Sequence, residues 1–405
     1  MDEEQVVVVN INQDYCSRCL ICYSLCPYKA INRDAETGKV EIDIQKCQVC
    51  GICYSACPVF AIEIAYYSYD TLLDYVKCML DKVKADTIVF MCRGNSPSTC
   101  EVKEILENQG LNVENYIPIR LPCSGRIPAE FIFKVLDLGV KKILSIQCDD
   151  EFCRFKEGTK INTRRLLLGK KVLEDLGFPS NAVTVVKYSR KAVYFTEECV
   201  GCDKCVFICP YSAIEAEPFA TPKILTEHCM GCGACALVCP HHAIQVKGFE
   251  FEETLKRYMN SAVKLKAEGK SPVILVFACQ WSEFPSLDNP ESVLFKRNAV
   301  TLEVPCFKAL DPVHVANALE CGFDGVMAVV CSAEDCKLQE GRDTAERNME
   351  VLKDFLKKKG LLERFELFES SPRSISNFEK RLDEFVKKIS SMPPMNQIQL
   401  VKKEV

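Results

Sequence analysis

No stretch of the 405-residue sequence carries the ~18 consecutive apolar residues that a helix needs to cross a bilayer, which excludes a membrane-embedded chain. Neither sign of charge is in large excess. The 51 Lys+Arg stand against 56 Asp+Glu for a net charge of −5. A strongly basic nucleic-acid binder and an acidic disordered chain are both excluded by that balance. The start, Met1-Asp2-Glu3-Glu4-Gln5, lacks the basic and apolar regions of a secretory signal. Arg164-Arg165 lies mid-chain, where it does not serve as a twin-arginine signal, so a cytoplasmic protein is expected. Histidine is scarce: His228, His241, His242 and His314 form no ligand or catalytic pattern. No G-x-G-x-x-G follows a strand, and neither a P-loop nor a G-x-S-x-G elbow is present. Flavin, nucleotide and serine-nucleophile chemistry therefore have no fingerprint here.

Cysteine is the exception, with 27 residues. A disulfide scaffold of that density is small and secreted, whereas a long chain without a signal uses its thiols for metal. Sixteen fall into four copies of C-x2-C-x2-C-x3-C-P: Cys16-Cys19-Cys22-Cys26, Cys47-Cys50-Cys53-Cys57, Cys199-Cys202-Cys205-Cys209 and Cys229-Cys232-Cys235-Cys239. Eight more form two further sets, Cys92, Cys123, Cys148, Cys153 and Cys279, Cys306, Cys331, Cys336. Cys78, Cys100 and Cys321 stand outside any pattern; Cys78 and Cys321, on expected helices, read as buried free thiols.

Subtracting positions exposes a tandem duplication. Cys16 to Cys199, Cys123 to Cys306, Cys148 to Cys331 and Cys153 to Cys336 are each 183 apart, and Cys47 to Cys229 is 182. Glu157-Gly158 match Glu340-Gly341 at the same offset, while Cys92 to Cys279 is 187, marking a short insertion. The expected order is A–B–A′–B′, with domains at 1–67, 68–190, 191–248 and 249–392 and a tail at 393–405. That tail reads as an arm that orders on a partner or as plain disorder.

In the A units, three cysteines at x2 spacing surround one cluster, and the fourth, before proline, belongs to the neighbouring cluster. Cys16, Cys19, Cys22 and Cys57 then hold one 4Fe–4S cluster, and Cys47, Cys50, Cys53 and Cys26 the second. Cys199, Cys202, Cys205 and Cys239 pair off against Cys229, Cys232, Cys235 and Cys209. Structural zinc needs only two C-x2-C pairs and leaves the third and fourth cysteines of each loop unexplained. These motifs resemble bacterial-type 2×(4Fe–4S) ferredoxins over about residues 8–66 and 191–247, and all sixteen ligand positions match.

Each B unit has apolar runs that end on a cysteine: 87–92, 117–123 and 143–148, then 272–279, 300–306 and 326–331, with fourth runs at 183–188 and 365–368. Helical-period stretches at 69–84, 101–109, 128–138, 161–176, 251–268, 311–321 and 341–359 alternate with them. The expected fold class is α/β and α+β multidomain, two dicluster ferredoxin folds alternating with two parallel-sheet α/β domains with helices on both faces. Ligands of such sheets gather at the carboxyl ends of the strands, where these cysteines lie. Four thiols allow 2Fe–2S or zinc. The strand-Pro-Cys, the strand-C-x4-C and the following Arg-bearing helix resemble the delta (iron–sulfur) subunit of methyl-viologen-reducing hydrogenase, over about residues 85–190 and 272–390. That resemblance implies two 2Fe–2S clusters. The family's further cysteine, three residues after its first, is replaced by Asn95 and Ser282; Cys100 is a substitute in B.

Six centres and no substrate fingerprint predict an iron–sulfur electron-transfer subunit without a reaction site of its own. The resemblance implies, as one partner, the flavin-bearing A subunit of a heterodisulfide reductase or a relative of it. It also implies a hydrogenase, formate dehydrogenase or ferredoxin as donor, in an anaerobic, methanogenic setting. The alternatives are a free polyferredoxin carrier and a reductase of small substrates at a B-unit cluster.

Overall fold

A computed structural model describes residues 8–95, 97, 101–108, 115–153, 155–218, 220–280, 282, 298–336, 338, 341–371, 373 and 375–395. The chain divides into two compact units, Met1–Ser189 and Arg190–Val405.

The first unit opens with two small antiparallel pairs, Val9–Ile11 with Ile62–Ile64 and Ile31–Arg33 with Val40–Ile42. Two short helices, Ile21–Leu25 and Ile52–Ala56, follow the third-last thiol of each cysteine loop. Val8, Val9, Ile11, Ile31, Val40, Val49, Ile62 and Ile64 bury themselves among the loop cysteines, so the apolar core wraps the thiols. The second unit repeats this with Ala192–Tyr194 on Ile244–Val246 and Ile214–Glu215 on Lys223–Ile224. Its short helices are Lys204–Ile208 and Ala234–Val238.

The remainder of each unit is a four-stranded parallel sheet. In the first the order is Tyr116–Leu121, Thr87–Cys92, Lys142–Cys148, Val183–Tyr188. In the second it is Ala299–Val304, Ile274–Cys279, Gly325–Cys331, Phe365–Ser370. Continuous apolar runs such as Thr-Ile-Val-Phe-Met-Cys belong to strands buried on both faces, and the central strands are buried throughout. In the first unit Val102 and Leu106 of Val102–Asn108 pack on Val89, Met91, Leu144 and Ile146. On Phe90, which points the other way along the same strand, the ring of Phe131 closes edge-on at 5.9 Å, and Tyr69 follows at 5.3 Å from Phe131.

In the second unit Phe251–Ala267, Pro312–Glu320 and Gly341–Lys358 cover one face. The opposite face is closed by Ile375–Ser390 through Phe378, Leu382, Phe385 and Ile389. No helix is expected there from the sequence, although those four residues recur at helical spacing. Gly325 lets that helix lie close, since a Cβ at this position would stand 2.9 Å from Ile389 and 3.0 Å from Phe385.

Two sequence expectations change. Cys78 and Cys321 are half-buried rather than buried. The second concerns the tail, next to which Lys266 donates to the Met395 carbonyl at 3.1 Å and lies 3.7 Å from buried Asp324. The tail is expected to begin at 393, yet Met395 is buried in the core of the second unit and its N–H donates to Asp324 at 2.8 Å. The stretch 396–405 lies outside the described residues. Among the described residues no helix is long and apolar enough to cross a membrane.

Phe385→Ala should destabilise the second unit by about 3–5 kcal/mol, through lost transfer energy plus the cavity left against the sheet. Val351→Ala, on an exposed site, should stay within about 0.5 kcal/mol. Anaerobic denaturant unfolding monitored by circular dichroism separates the two.

Candidate metal centres

Each cysteine loop turns three times through the left-handed region, first at Arg18, Val49, Gly201 and Gly231. Leu20 (φ 62°), Gly51 (81°), Asp203 (56°) and Gly233 (83°) precede the short helices. Lys29, Phe60, Ser212 and His242 then take φ of 48–52° two residues after the proline. That last turn swings the next N–H back onto the last thiol of the loop. Ala30 donates to Cys26 at 3.3 Å, Ala61 to Cys57 at 3.3 Å, Ala213 to Cys209 at 3.4 Å and Ala243 to Cys239 at 3.2 Å. A donor fixed on sulfur favours thiolate over thiol. The recurring C-P-x-x-A in the sequence is therefore a device for holding the fourth sulfur.

The structure brings the thiols together across loops. Burial raises the Cys22 thiol, and Cys19, Cys57 and Cys16 add to it through their charge. Cys53 is pushed well up by burial, then by Cys50, Cys47 and Cys26. Cys50 is pushed up to about 12 by burial, with Cys47 adding and the Arg126 guanidinium opposing. In the second unit burial raises Cys235, with Cys232, Cys229 and Cys209 adding. A pocket is lined by Cys26, Cys47, Cys50 and Cys53. Another is lined by Cys199, Cys202, Cys205 and Cys239, with Tyr194 and His241 at its wall. The Tyr194 hydroxyl lies 3.0 Å from Cys205 Sγ. Four thiols around open space fit the donor set of a 4Fe–4S cluster. Thiols held protonated by burial must release their protons as metal binds.

The remaining eight cysteines sit at the sheet edges. Cys92 and Cys148 end Thr87–Cys92 and Lys142–Cys148, Cys123 lies two residues beyond Tyr116–Leu121, and Cys153 follows the turn Asp150–Phe152. Cys279, Cys306, Cys331 and Cys336 repeat that placement. Cys148 is driven up first by its hydrogen bond with Cys92, which is correspondingly lowered. Cys331 is driven up in the same way by Cys279 and Cys336. Among the described residues no group of three or more His, Cys, Asp or Glu side chains is drawn together as the ligands of one metal ion are.

Helix amino ends close on both sheet-edge sites. A Cβ on Gly158 would stand 2.4 Å from Cys123 Sγ, and one on Gly341 would stand 3.0 Å from Cys306 Sγ and 3.2 Å from Cys336 Sγ. Gly158–Asp175 and Gly341–Lys358 thus bring positive dipole ends to the thiols. In the sequence these glycines serve only as repeat markers; their place at the helix starts after C-x4-C is the signal that could have found them.

In each unit a loop site and a sheet-edge site meet. Cys50, Ile52, Cys123 and Phe155 form one buried cluster, and Cys232 and Cys306 share another. Gly51 admits Arg126, whose Nε would lie 2.4 Å from a Cβ there. Arg126, buried, donates to the carbonyls of Cys50 (3.4 Å), Tyr66 (2.9 Å) and Val49. Sequence reasoning misses this arginine, because nothing in its own neighbourhood ties it to a loop 76 residues away.

Where the resembling family has its extra cysteine, Asn95 is buried and its N–H donates to Cys148 Sγ at 3.4 Å. Ser282, also buried, donates to the Cys279 carbonyl at 2.6 Å. Cys100 and Trp281 lie outside the described residues. His241 and His242 are exposed, as a surface loop requires.

A family model described as methyl-viologen-reducing hydrogenase, delta subunit, matches residues 87–199 and 274–393. Models of 4Fe–4S dicluster domains match 8–58 and 181–246. The chain is 33% identical over 202 residues to the A subunit of the ferredoxin/F(420)H(2)-dependent CoB-CoM heterodisulfide reductase of Methanosarcina acetivorans. It is 32% identical over 203 residues to the A subunit of the ferredoxin:CoB-CoM heterodisulfide reductase of Methanosarcina mazei. Each match takes in 49% of this chain and 25% of the relative, so the chain spans about a quarter of the length of these relatives. It is also 29% identical to the iron–sulfur D subunit of the F420-non-reducing hydrogenase of Archaeoglobus profundus, over 24% of this chain and 71% of that protein.

Gly158→Ala should abolish metal loading at the first unit's sheet-edge site, because the methyl would stand 2.4 Å from Cys123 Sγ, well inside van der Waals contact. Leu168→Ala, exposed on the same helix, should leave it intact. Iron content and the paramagnetic spectrum of the reduced chain read the difference.

Proposed function

The chain belongs to the family of the methyl-viologen-reducing hydrogenase delta subunit, and on that premise we propose that it is an iron–sulfur electron-transfer subunit. It takes electrons from a hydrogenase, formate dehydrogenase or ferredoxin. It delivers them to the flavin-bearing A subunit of a heterodisulfide reductase, or to a relative of it, in the cytoplasm. The observation that supports this reading is that Cys50 and Cys123 share one buried cluster, as Cys232 and Cys306 share another. Two thiol-lined sites joined through one buried cluster suit electron passage.

The proposed organisation is two dicluster domains alternating with two parallel-sheet domains, bounded at 1–67, 68–190, 191–248 and 249–392. Cys16, Cys19, Cys22 and Cys57, and Cys47, Cys50, Cys53 and Cys26, would hold two 4Fe–4S clusters. Cys199, Cys202, Cys205 and Cys239, and Cys229, Cys232, Cys235 and Cys209, would hold two more. Cys92, Cys123, Cys148 and Cys153, and Cys279, Cys306, Cys331 and Cys336, would hold 2Fe–2S clusters, with zinc the alternative. When bound, such clusters supply one-electron storage and transfer at potentials set by their surroundings.

The chain's residues do the rest. Alanine N–H groups at 30, 61, 213 and 243 fix sulfur orientation, and Ile52, Phe155 and Val49 exclude water from the inner thiols. Cys19 and Cys202 are exposed, beside exposed Tyr15, Ile21 and Tyr23 in one unit and Val200, Phe207 and Ile208 in the other. Apolar rims around an accessible thiolate suit docking of a redox partner. A full set of four cysteines at each sheet edge leaves no displaceable ligand position for a substrate, which favours relay over catalysis.

Anaerobically purified protein should carry about 20 iron atoms per chain, the content of four 4Fe–4S and two 2Fe–2S clusters. Mixed with a low-potential donor and a heterodisulfide-reductase-type flavoprotein, it should accelerate electron delivery. Alone with donor and disulfide, thioether or quinone acceptors, it should give no turnover above background; saturable turnover there would overturn the relay.

A further inference from the structure

The two sheet-edge sites have the same thiols in different surroundings. Beneath the first lies a buried chain of polar side chains. Ser124 N–H donates to Cys92 Sγ at 3.4 Å, and the Ser124 hydroxyl oxygen accepts from the Cys92 thiol at 3.0 Å. That hydroxyl donates to Gln147 Oε1 at 3.2 Å, which also accepts from Asn162 Nδ2 at 2.7 Å; Asn162 Nδ2 also reaches Ser145 Oγ at 3.1 Å. Ser124, Ser145, Gln147 and Asn162 are all at most 1% exposed.

The duplication offset of 183 puts Phe307, Ala328, Val330 and Ala345 at those four positions. No side chain in that set can donate a hydrogen bond, and all four pack in the apolar interior of the second unit. The cations differ as well. Arg93, buried beside Cys92, Arg126, and Arg165, whose charge interacts with Cys123, correspond to Gln280, Ala309 and Asn348. The second unit has its own Lys308, buried and acting on Cys232, and Arg190, which donates to Gln280. It also buries a carboxylate, Asp335, next to Cys336 and paired with Arg373 at 2.9 Å, where the first unit has Phe152.

Reduction adds one negative charge to a cluster. Hydrogen-bond donors and cations stabilise that charge, more strongly in a low-dielectric interior than in water, whereas apolar walls do not, and the Arg373 charge is spent on Asp335. We infer that the duplicated sheet-edge sites have diverged into a higher-potential site in the first unit and a lower-potential site in the second. Ser124, Gln147 and Asn162 are the positioning residues that set the difference. The inference rests on the reading of both sites as 2Fe–2S. The step concerned is a one-electron reduction of each site by an external low-potential reductant, with no bond made or broken and no group transferred.

The test is an anaerobic titration of the full chain with dithionite, followed by paramagnetic resonance, with iron and zinc measured on the same sample. Two one-electron 2Fe–2S waves are expected, and when the first unit's site is half reduced the second should be about tenfold less so. A Cys331→Ser chain, altered only in the second unit, identifies the wave that persists as the first unit's. Ser124→Ala should lower that wave and leave the other in place, Ser124→Thr should restore it, and Asn162→Ala should lower it with the Ser124 contact retained. Coincident waves, a reversed order, or a first-unit wave unmoved by both alanine variants would overturn the inference while leaving the 2Fe–2S reading standing. Zinc in either site would overturn that reading and the inference together.

Discussion

Burial of a cysteine-loop thiol and a sheet-edge thiol in one apolar cluster is the constraint around which each unit is built. Cys50 and Cys123 share one such cluster, and Cys232 and Cys306 another. Side chains that would separate them are missing at specific places. Gly51 and Gly233 have no room for a Cβ, because Arg126 and Ala309 stand 2.4 Å from where it would be. Gly158 and Gly341 give up a methyl so that a helix end can meet sulfur. In the proposed relay, where electron transfer weakens steeply with distance, glycine at these four points would act on function through packing.

Duplication kept that arrangement and let its chemistry drift. The first unit fills the junction with Arg126, held by three loop carbonyls and lying 5.6 Å from the Tyr67 ring. The second puts Ala309 there, and Arg190, from a different part of the sequence, lies 4.4 Å from the Phe249 ring. Phe249 is the counterpart of Tyr67 at an offset of 182. A buried guanidinium over an aromatic ring is thus retained while the residue supplying it changes, which points to a requirement for positive charge beside anionic sites.

The cysteine pattern was legible because ligand spacing is local and chemically narrow: four thiols at x2, x2 and x3 before a proline serve few purposes. Strand ends were legible for a related reason, since an apolar run stopping on Cys92, Cys148, Cys279 or Cys331 marks both the strand and its carboxyl edge. What the sequence hid depends on tertiary contact. Arg126 and Arg165 acquire roles only when a loop from elsewhere in the chain folds over them, and Lys266 finds Asp324 and Met395 only across the second unit. Ile375–Ser390 carried a readable period, but its need arises from the open face of a sheet whose strands lie up to 115 residues away. The polar floor under Cys92 was invisible for the same reason: Ser124, Gln147 and Asn162 come from a turn, a strand and a helix.

Electron passage within a unit requires the two kinds of site to lie close together. Paramagnetic resonance of the fully reduced chain measures that proximity. The first unit's sheet-edge signal should be split or broadened by the spin on the site of Cys26, Cys47, Cys50 and Cys53, and should sharpen to an isolated spectrum in a Cys47→Ala, Cys53→Ala chain. An unsplit signal in the unaltered protein, unchanged when the neighbouring site is removed, would contradict the account.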